Sequence, residues 1–331
     1  MGKADRSLIR LLPRQRPDIR PNPSRKRGMP MKAAAALLLA LAAPAAAQTS
    51  TMENVQIRVE RVAPGVAVLF GRGGNIGLSY GADGNIIIDD QYAPLTERIL
   101  AAIRTLDPDP VRFVINTHWH GDHTGGNENV ARTGAVIVAH DNVRRRMSAE
   151  QLVRGEIVQP SPSGALPVVT FAEGVTFHLN GDDLRVVHVA NAHTDGDALV
   201  YFTHANVLHM GDVFWNGMLP FIDLDSGGSI DGMIAGVAQG IELADERTVV
   251  IPGHGPIGHK ADLERFRDML IHVRNRVGQG IAAGRTLDQL KAEGHADAYA
   301  HPGDFITGAS FTETVYRSLM RDHGGIGEER R

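Results

Sequence analysis

Seven consecutive residues, Thr117-His118-Trp119-His120-Gly121-Asp122-His123, constrain this chain more than any other stretch. They place three imidazoles and a carboxylate in an H-x-H-x-D-H pattern on one short turn. Imidazole nitrogen and carboxylate oxygen are the donors preferred by a borderline cation such as zinc. Four such groups make a poor packing device, because each one buried needs a partner to offset its lost hydration. The fold therefore has to bring this turn to a metal.

The N-terminal segment is set aside before the fold is considered. Residues 31–47 read MKAAAALLLALAAPAAA: a lysine, an apolar run and an A-x-A site, the layout of a cleavable secretory signal. The apolar run is shorter than a bilayer span requires, so no stable membrane anchor is expected. Residues 1–47 are read as an N-terminal extension with this signal, initiating at Met1 or Met31. Residues 52–325 are read as the folded domain, expected in the periplasm.

Residues 1–47 hold ten of the 34 Lys and Arg and two of the 38 Asp and Glu. The remaining 24 basic and 36 acidic residues give a charge near −12, which repels nucleic acid phosphates. No nucleic-acid partner is expected; the partner is a small-molecule substrate, and the sequence leaves oligomeric state open. The chain has no cysteine, so export requires no disulfide framework.

Strand-like segments at 56–62, 66–70, 75–80 and 85–89 are separated by Pro-Gly, Gly-Gly and Asp-Gly turns. Further strands are expected at 112–116, 135–139, 168–171, 175–179, 184–188, 198–203, 206–209 and 248–251. Apolar periodicity predicts helices at 95–106, 127–132, 141–154, 230–243, 260–283, 287–293 and 311–322. A Pro/Ser/Gly loop at 160–167 divides the chain into two similar halves. The pattern predicts an α/β class: two sheets flanked by helices, one domain of two halves.

Three more His/Asp clusters fall where expected strands end: Ala192-His193-Thr194-Asp195-Gly196-Asp197, Met210-Gly211-Asp212 and Pro252-Gly253-His254-Gly255. Loops at strand ends are where a sheet scaffold presents ligands. With H-x-H-x-D-H, then H-T-D-G-D, G-D and G-H-G in this order, residues 52–260 resemble the metallo-β-lactamase superfamily. That resemblance implies a four-layer αβ/βα sandwich of two mixed sheets, with two Zn2+ ions per chain in an edge groove. It implies that His118, His120 and His193 hold one ion, that Asp122, His123 and His254 hold the other, and that Asp212 bridges them. Asp89 matches the family's first motif, supporting the ligands from behind.

The chemistry so implied is hydrolysis by a zinc-activated water that attacks a carbonyl, with Asp122 as the catalytic residue orienting it. With export expected, the leading reading is a periplasmic β-lactamase that opens the β-lactam ring. Lactones, esters and thioesters come second, and iron-dependent sulfur dioxygenation on the same fold third. Two subclasses of β-lactamase carry cysteine where Asp212 stands and the third carries serine, whereas an aspartate there is typical of glyoxalase II and lactonases. Trp215 stands where some β-lactamases place a lysine that grips the drug carboxylate. Trp215 and Asn216 are expected on one wall of the groove, Gln91 and Tyr92 on the other.

The other ten of the fifteen histidines are read as surface or core residues. Arg144-Arg145-Arg146 is read as a solvated helix face, and Gly71-Arg72-Gly73-Gly74 as a hairpin turn.

Overall fold

In a computed structural model, the structure describes residues 52–328; the extension and signal at 1–47 lie outside the described residues. Among the described residues fifteen strands are numbered in chain order. A seven-stranded sheet runs β1 (Arg58–Ala63), β2 (Val66–Phe70), β3 (Ile76–Ser79), β4 (Asn85–Ile88), β5 (Val111–Ile115), β6 (Val136–His140), β9 (Val169–Phe171). A six-stranded sheet runs β10 (Gly174–Leu179), β11 (Asp182–Val189), β12 (Asp197–Phe202), β13 (Val207–His209), β14 (Val249–Ile251), β15 (Gly258–His259). Strands β7 (Gln151–Val153) and β8 (Glu156–Val158) form a separate hairpin.

Alternation along the strands builds the layers. Val66, Val68, Ile86, Ile88 and Ile115 of the first sheet meet Val186, Val200, Phe202 and Val207 of the second in one buried cluster. Their neighbours Ala67, Leu69, Ile87 and Val114 face the other way, onto Ile99, Leu100 and Ile103 of helix α1 (Thr96–Arg104). On the far side, Leu199, Leu208 and Val250 pack with α5 (Ile230–Leu243), α6 (Lys260–Ala282), α7 (Leu287–Ala292) and α8 (Gly308–Glu328). Four layers, α/β/β/α, result. Sheets covered on both faces explain the unbroken Ile86-Ile87-Ile88 run, since burial on both sides leaves no polar face. Each such fully buried side chain contributes roughly 1.5–3 kcal/mol relative to exposure.

Three expectations are corrected. The helix expected over 141–154 ends early: α4 covers Asp141–Met147, and hairpin β7–β8 takes the remainder. Its Leu-Val and Glu-Ile-Val strands favour extended backbone, and Arg154 and Gly155 make the turn with positive φ. Loop 160–167 does not mark the boundary between halves. Strand β9 beyond it returns to the first sheet and pairs in parallel with β6, so the chain changes sheet only between β9 and β10. Nor is Arg144-Arg145-Arg146 a solvated face throughout. Arg146 clamps Asp195 with two bonds of 2.7 and 2.8 Å and Arg144 donates to the Pro167 carbonyl, leaving Arg145 outward.

Among the described residues no helix is long and apolar enough to cross a membrane.

Candidate metal centre

Topology gathers the site at one edge. Strands β4 and β5 are parallel and end together, delivering Asp89 and the run from Asn116. Strands β13 and β14 are parallel, and β11 runs the same way, two antiparallel steps from β13. Their C-terminal ends therefore deliver His193, Asp212 and His254 to that edge. Helices α2 (Gly121–Thr124) and α3 (Asn127–Ala131) follow β5, and α2 carries Asp122 and His123.

The seven expected ligands converge. One group joins His118, His120 and His193, a second Asp122, His123 and His254, and Asp212 joins His118 and His123 in a third. His120 Nδ1 lies 2.9 Å from His193 Nε2, and His254 Nε2 lies 3.3 Å from Asp122 Oδ2 and 3.4 Å from His123 Nε2. Asp212 sits between the groups. Its Oδ2 is 3.5 Å from both His193 Nε2 and His254 Nε2 and 3.9 Å from His118 Nε2, while Oδ1 is 3.1 Å from His123 Nε2. Two donors each about 2.0–2.1 Å from a tetrahedral ion stand roughly 3.3 Å apart, and these separations cluster around that value.

The hydrogen bonding fits a metal site as well. His118 Nε2 and Asp212 Oδ1 are buried and complete no hydrogen bond. Such orphans are costly in a protein interior and ordinary in a side chain that ligates a metal. The far nitrogen of four imidazoles is held from behind, which fixes each tautomer. Thr117 Oγ1 is 3.0 Å from His118 Nδ1, Asp223 Oδ2 is 2.9 Å from His120 Nε2, Asp89 Oδ2 is 2.7 Å from His123 Nδ1, and the Phe221 carbonyl is 2.7 Å from His193 Nδ1. Asp89 adopts a left-handed φ of 64°, and its carboxylate also accepts from Thr117 N and Oγ1. Gly253 has no Cβ because one there would run into the Asp212 carboxylate and the Gly211 backbone.

Charge is strongly biased before any ion binds. Burial opposes ionisation of Asp122, but His123 and His254 outweigh it and hold the acid at about 2. Burial likewise disfavours the charged form of His254, yet Asp212 and Asp122 lift it to about 9. Burial alone dominates at His193 and pushes it down to about 4. In the H-T-D-G-D motif only His193 enters the ligand cluster. Asp197, raised by burial to about 8, accepts from Thr194 N and Oγ1 and shapes the loop, and Asp195 takes the Arg146 clamp.

A cavity of about 620 Å³ opens onto the ligands. Of the four residues expected on the groove walls, Tyr92 and Trp215 line this cavity and Gln91 and Asn216 do not. Gln91 is buried and donates to the Gly74 carbonyl, supporting the 71–74 turn from behind. Asn216 faces a separate 340 Å³ cavity beside α6 and donates to the Pro256 carbonyl. Trp215 and Asn216 diverge because consecutive side chains of an extended segment point to opposite sides, whereas Gln91 is turned away from Tyr92 by its left-handed φ of 57°. Trp215 packs its ring 4.3 Å from that of His254 and donates its indole N–H to the Asp212 carbonyl. Sequence reasoning missed Thr117 and Asp223 behind the ligands, and Arg154 and Phe305 around the cavity. Only Thr117, adjoining the motif, carried a local signal.

Solved structures with this architecture include a metallo-beta-lactamase from Pontibacter korlensis, with a TM-score of 0.56 at 22% identity over 65% of this chain and 99% of that one. A stereoselective inverting sec-alkylsulfatase from Pseudomonas sp. matches with a TM-score of 0.60 at 18% identity over 82% of this chain and 51% of that one. Among curated relatives, the alpha subunit of a 2,4-dinitroanisole O-demethylase from Nocardioides sp. is 28% identical over 41% of this chain and 40% of its own length. A hydroxyacylglutathione hydrolase from Polaromonas sp. is 26% identical over 43% of this chain and 47% of its own. The chain thus spans about half the length of the curated relatives it matches. A family model described as the metallo-beta-lactamase superfamily matches residues 69–262, more than half of the chain. By that match, and with the same architecture in its structural neighbours, the chain belongs to the metallo-beta-lactamase superfamily.

Proposed function

We propose that the chain is a dinuclear zinc hydrolase of a carbonyl substrate, and that an ester, thioester or lactone ranks ahead of a β-lactam. The observation that carries the dinuclear reading is Asp212, whose two oxygens lie within 3.9 Å of four imidazole nitrogens drawn from both ligand groups. When bound, a zinc pair lowers the pKa of a coordinated water to about 7 and polarises a carbonyl oxygen. The chain's own residues do the rest. Asp122, ionised and open to the cavity, orients the attacking water and receives its proton at a carboxylate oxygen. Asp89, Thr117, Asp223 and the Phe221 carbonyl hold the imidazoles, so little reorganisation accompanies the reaction. Trp119, Trp215 and Phe221 exclude bulk water and suit an apolar acyl group.

The substrate order follows from two features. An aspartate at 212 is the choice the resemblance associates with ester and thioester hydrolases, and the relatives named hydroxyacylglutathione hydrolase support it. The indole at 215 leaves no ammonium at that position for a drug carboxylate. A β-lactam remains the second reading, supported by the expected export.

The test is a hydrolysis panel of nitrocefin, ampicillin, a hydrophobic lactone and a thioester, with and without chelator. Chelator-sensitive turnover of the lactone or thioester above that of nitrocefin is expected. Faster nitrocefin turnover reverses the order, and no chelator-sensitive turnover at all overturns the hydrolase reading.

A further inference from the structure

The tip of hairpin β7–β8 holds Arg154 and Gly155 with φ of 53° and 85°. Two left-handed residues are what a two-residue hairpin of the primed type requires, and Asn-Gly or Asp-Gly is the usual solution. An arginine in that conformation is uncommon, and unusual backbone states cluster at sites where a side chain must be aimed. Here the guanidinium stands beside the cavity over the metal ligands, on a side chain that also borders a second cavity lined by Asp225 and Glu313, whose carboxylates pair with Arg321 and Arg317. The guanidinium lies 4.7 Å from the ring centroid of Phe305 and 5.9 Å from that of Phe221, and all three residues line the cavity over the ligands.

Among the described residues Arg154 has no carboxylate within ion-pair distance. Neighbouring arginines differ: Arg146 is clamped to Asp195, Arg317 to Glu313 and Arg321 to Asp225. Arg72, on the turn at the cavity's other side, is likewise without an ion pair among the described residues. The only carboxylates lining the cavity are Asp122 and Asp212, both among the metal donors. An acidic chain thus presents uncompensated guanidiniums at the mouth of its site, a field that draws in anions. Stacking on aromatic rings orients the planar fork and leaves its N–H edge free, the arrangement suited to a bidentate carboxylate.

We propose that Arg154 is a specificity-determining residue that binds a carboxylate of the substrate while Phe305, Phe221 and the hairpin's valines cover its apolar part. The proposal rests on the hydrolase reading for placing a substrate in this cavity. Both tryptophans of the chain, Trp119 and Trp215, line the same cavity, so intrinsic fluorescence reports its occupancy independently of turnover.

The experiment titrates the full-length zinc-loaded chain with 3-phenylpropionate and with its neutral amide. Wild type is expected to prefer the carboxylate. Arg154→Met should weaken carboxylate binding roughly tenfold while changing amide binding less than about twofold, and Arg154→Lys should recover part of the loss. Unchanged carboxylate binding in Arg154→Met assigns the anion to the metals or to Arg72 and overturns the proposal. Equal weakening of both probes makes the residue a matter of cavity shape and overturns it too. If the Arg154-dependent preference holds but no carbonyl substrate is turned over, the hydrolase reading falls and the anion site stands.

Discussion

Gly74→Ala isolates the geometry of the second ligand group. Gly74 stands at the end of the 71–74 turn, and a Cβ there would lie 2.6 Å from both Nδ1 and Nε2 of His123, with Cε1 closer still. Ordinary contact is about 3.4 Å, so the ring must yield by roughly 0.8 Å or more, against a tolerance near 0.2 Å for metal–ligand distances. The ring has no free direction. It is fully buried, tied to Asp89 at 2.7 Å and facing Asp212 at 3.1 Å. The substitution should therefore misplace His123 Nε2 and release the ion held with Asp122 and His254. The overpacking costs about 1–3 kcal/mol, a few degrees in melting temperature, so the variant stays folded.

The assay is zinc content by atomic emission after dialysis, with circular dichroism as a check on folding: two ions per chain are expected for wild type and one for Gly74→Ala. Gly121→Ala is the matched control. It lies inside the motif itself, yet a Cβ there meets nothing within 4 Å and both ions should remain. A folded Gly74→Ala chain holding two zincs with wild-type affinity refutes this reasoning.

Asp122→Asn removes the proton acceptor but keeps the shape; turnover of the best panel substrate should fall at least ~100-fold with the melting temperature little changed. Asp223→Asn loses the carboxylate behind His120 and should weaken one zinc by about 10–100-fold in a chelator competition, leaving the second ion nearly unaffected. In the metal-free protein His254, raised to about 9, gives a stabilising contribution that is fully present below about 6.5 and lost as pH rises through 9. Zinc needs the neutral ring, so its binding must release that proton near pH 7, and apparent affinity should rise with pH up to about 9. Calorimetry in buffers of differing ionisation enthalpy measures the release.

The metal ligands were legible because they are written contiguously or beside glycines at strand ends, where side-chain identity and position coincide. Their supports were not. Asp223 reaches His120 across 103 positions of sequence, and nothing around Asp223 marks it as a partner. The layered sheets followed from alternation and from the Ile86-Ile87-Ile88 run, but the hairpin at 151–158 was hidden. Its residues continue an apolar helical rhythm from α4, and only the Arg154-Gly155 pair signals a turn. Gln91 shows the limit on the walls of the cavity. Its neighbour Tyr92 faces the cavity, while a left-handed φ of 57° turns Gln91 inward to Gly74, and no sequence rule supplies that direction.

The most direct measurement of the central claim is metal content and metal-restored turnover in one preparation of the full-length chain. The account predicts close to two zincs per chain, loss of hydrolysis on chelation, and recovery that completes only at the second equivalent of added zinc. A single tightly bound iron, or full activity at one equivalent of zinc, contradicts it.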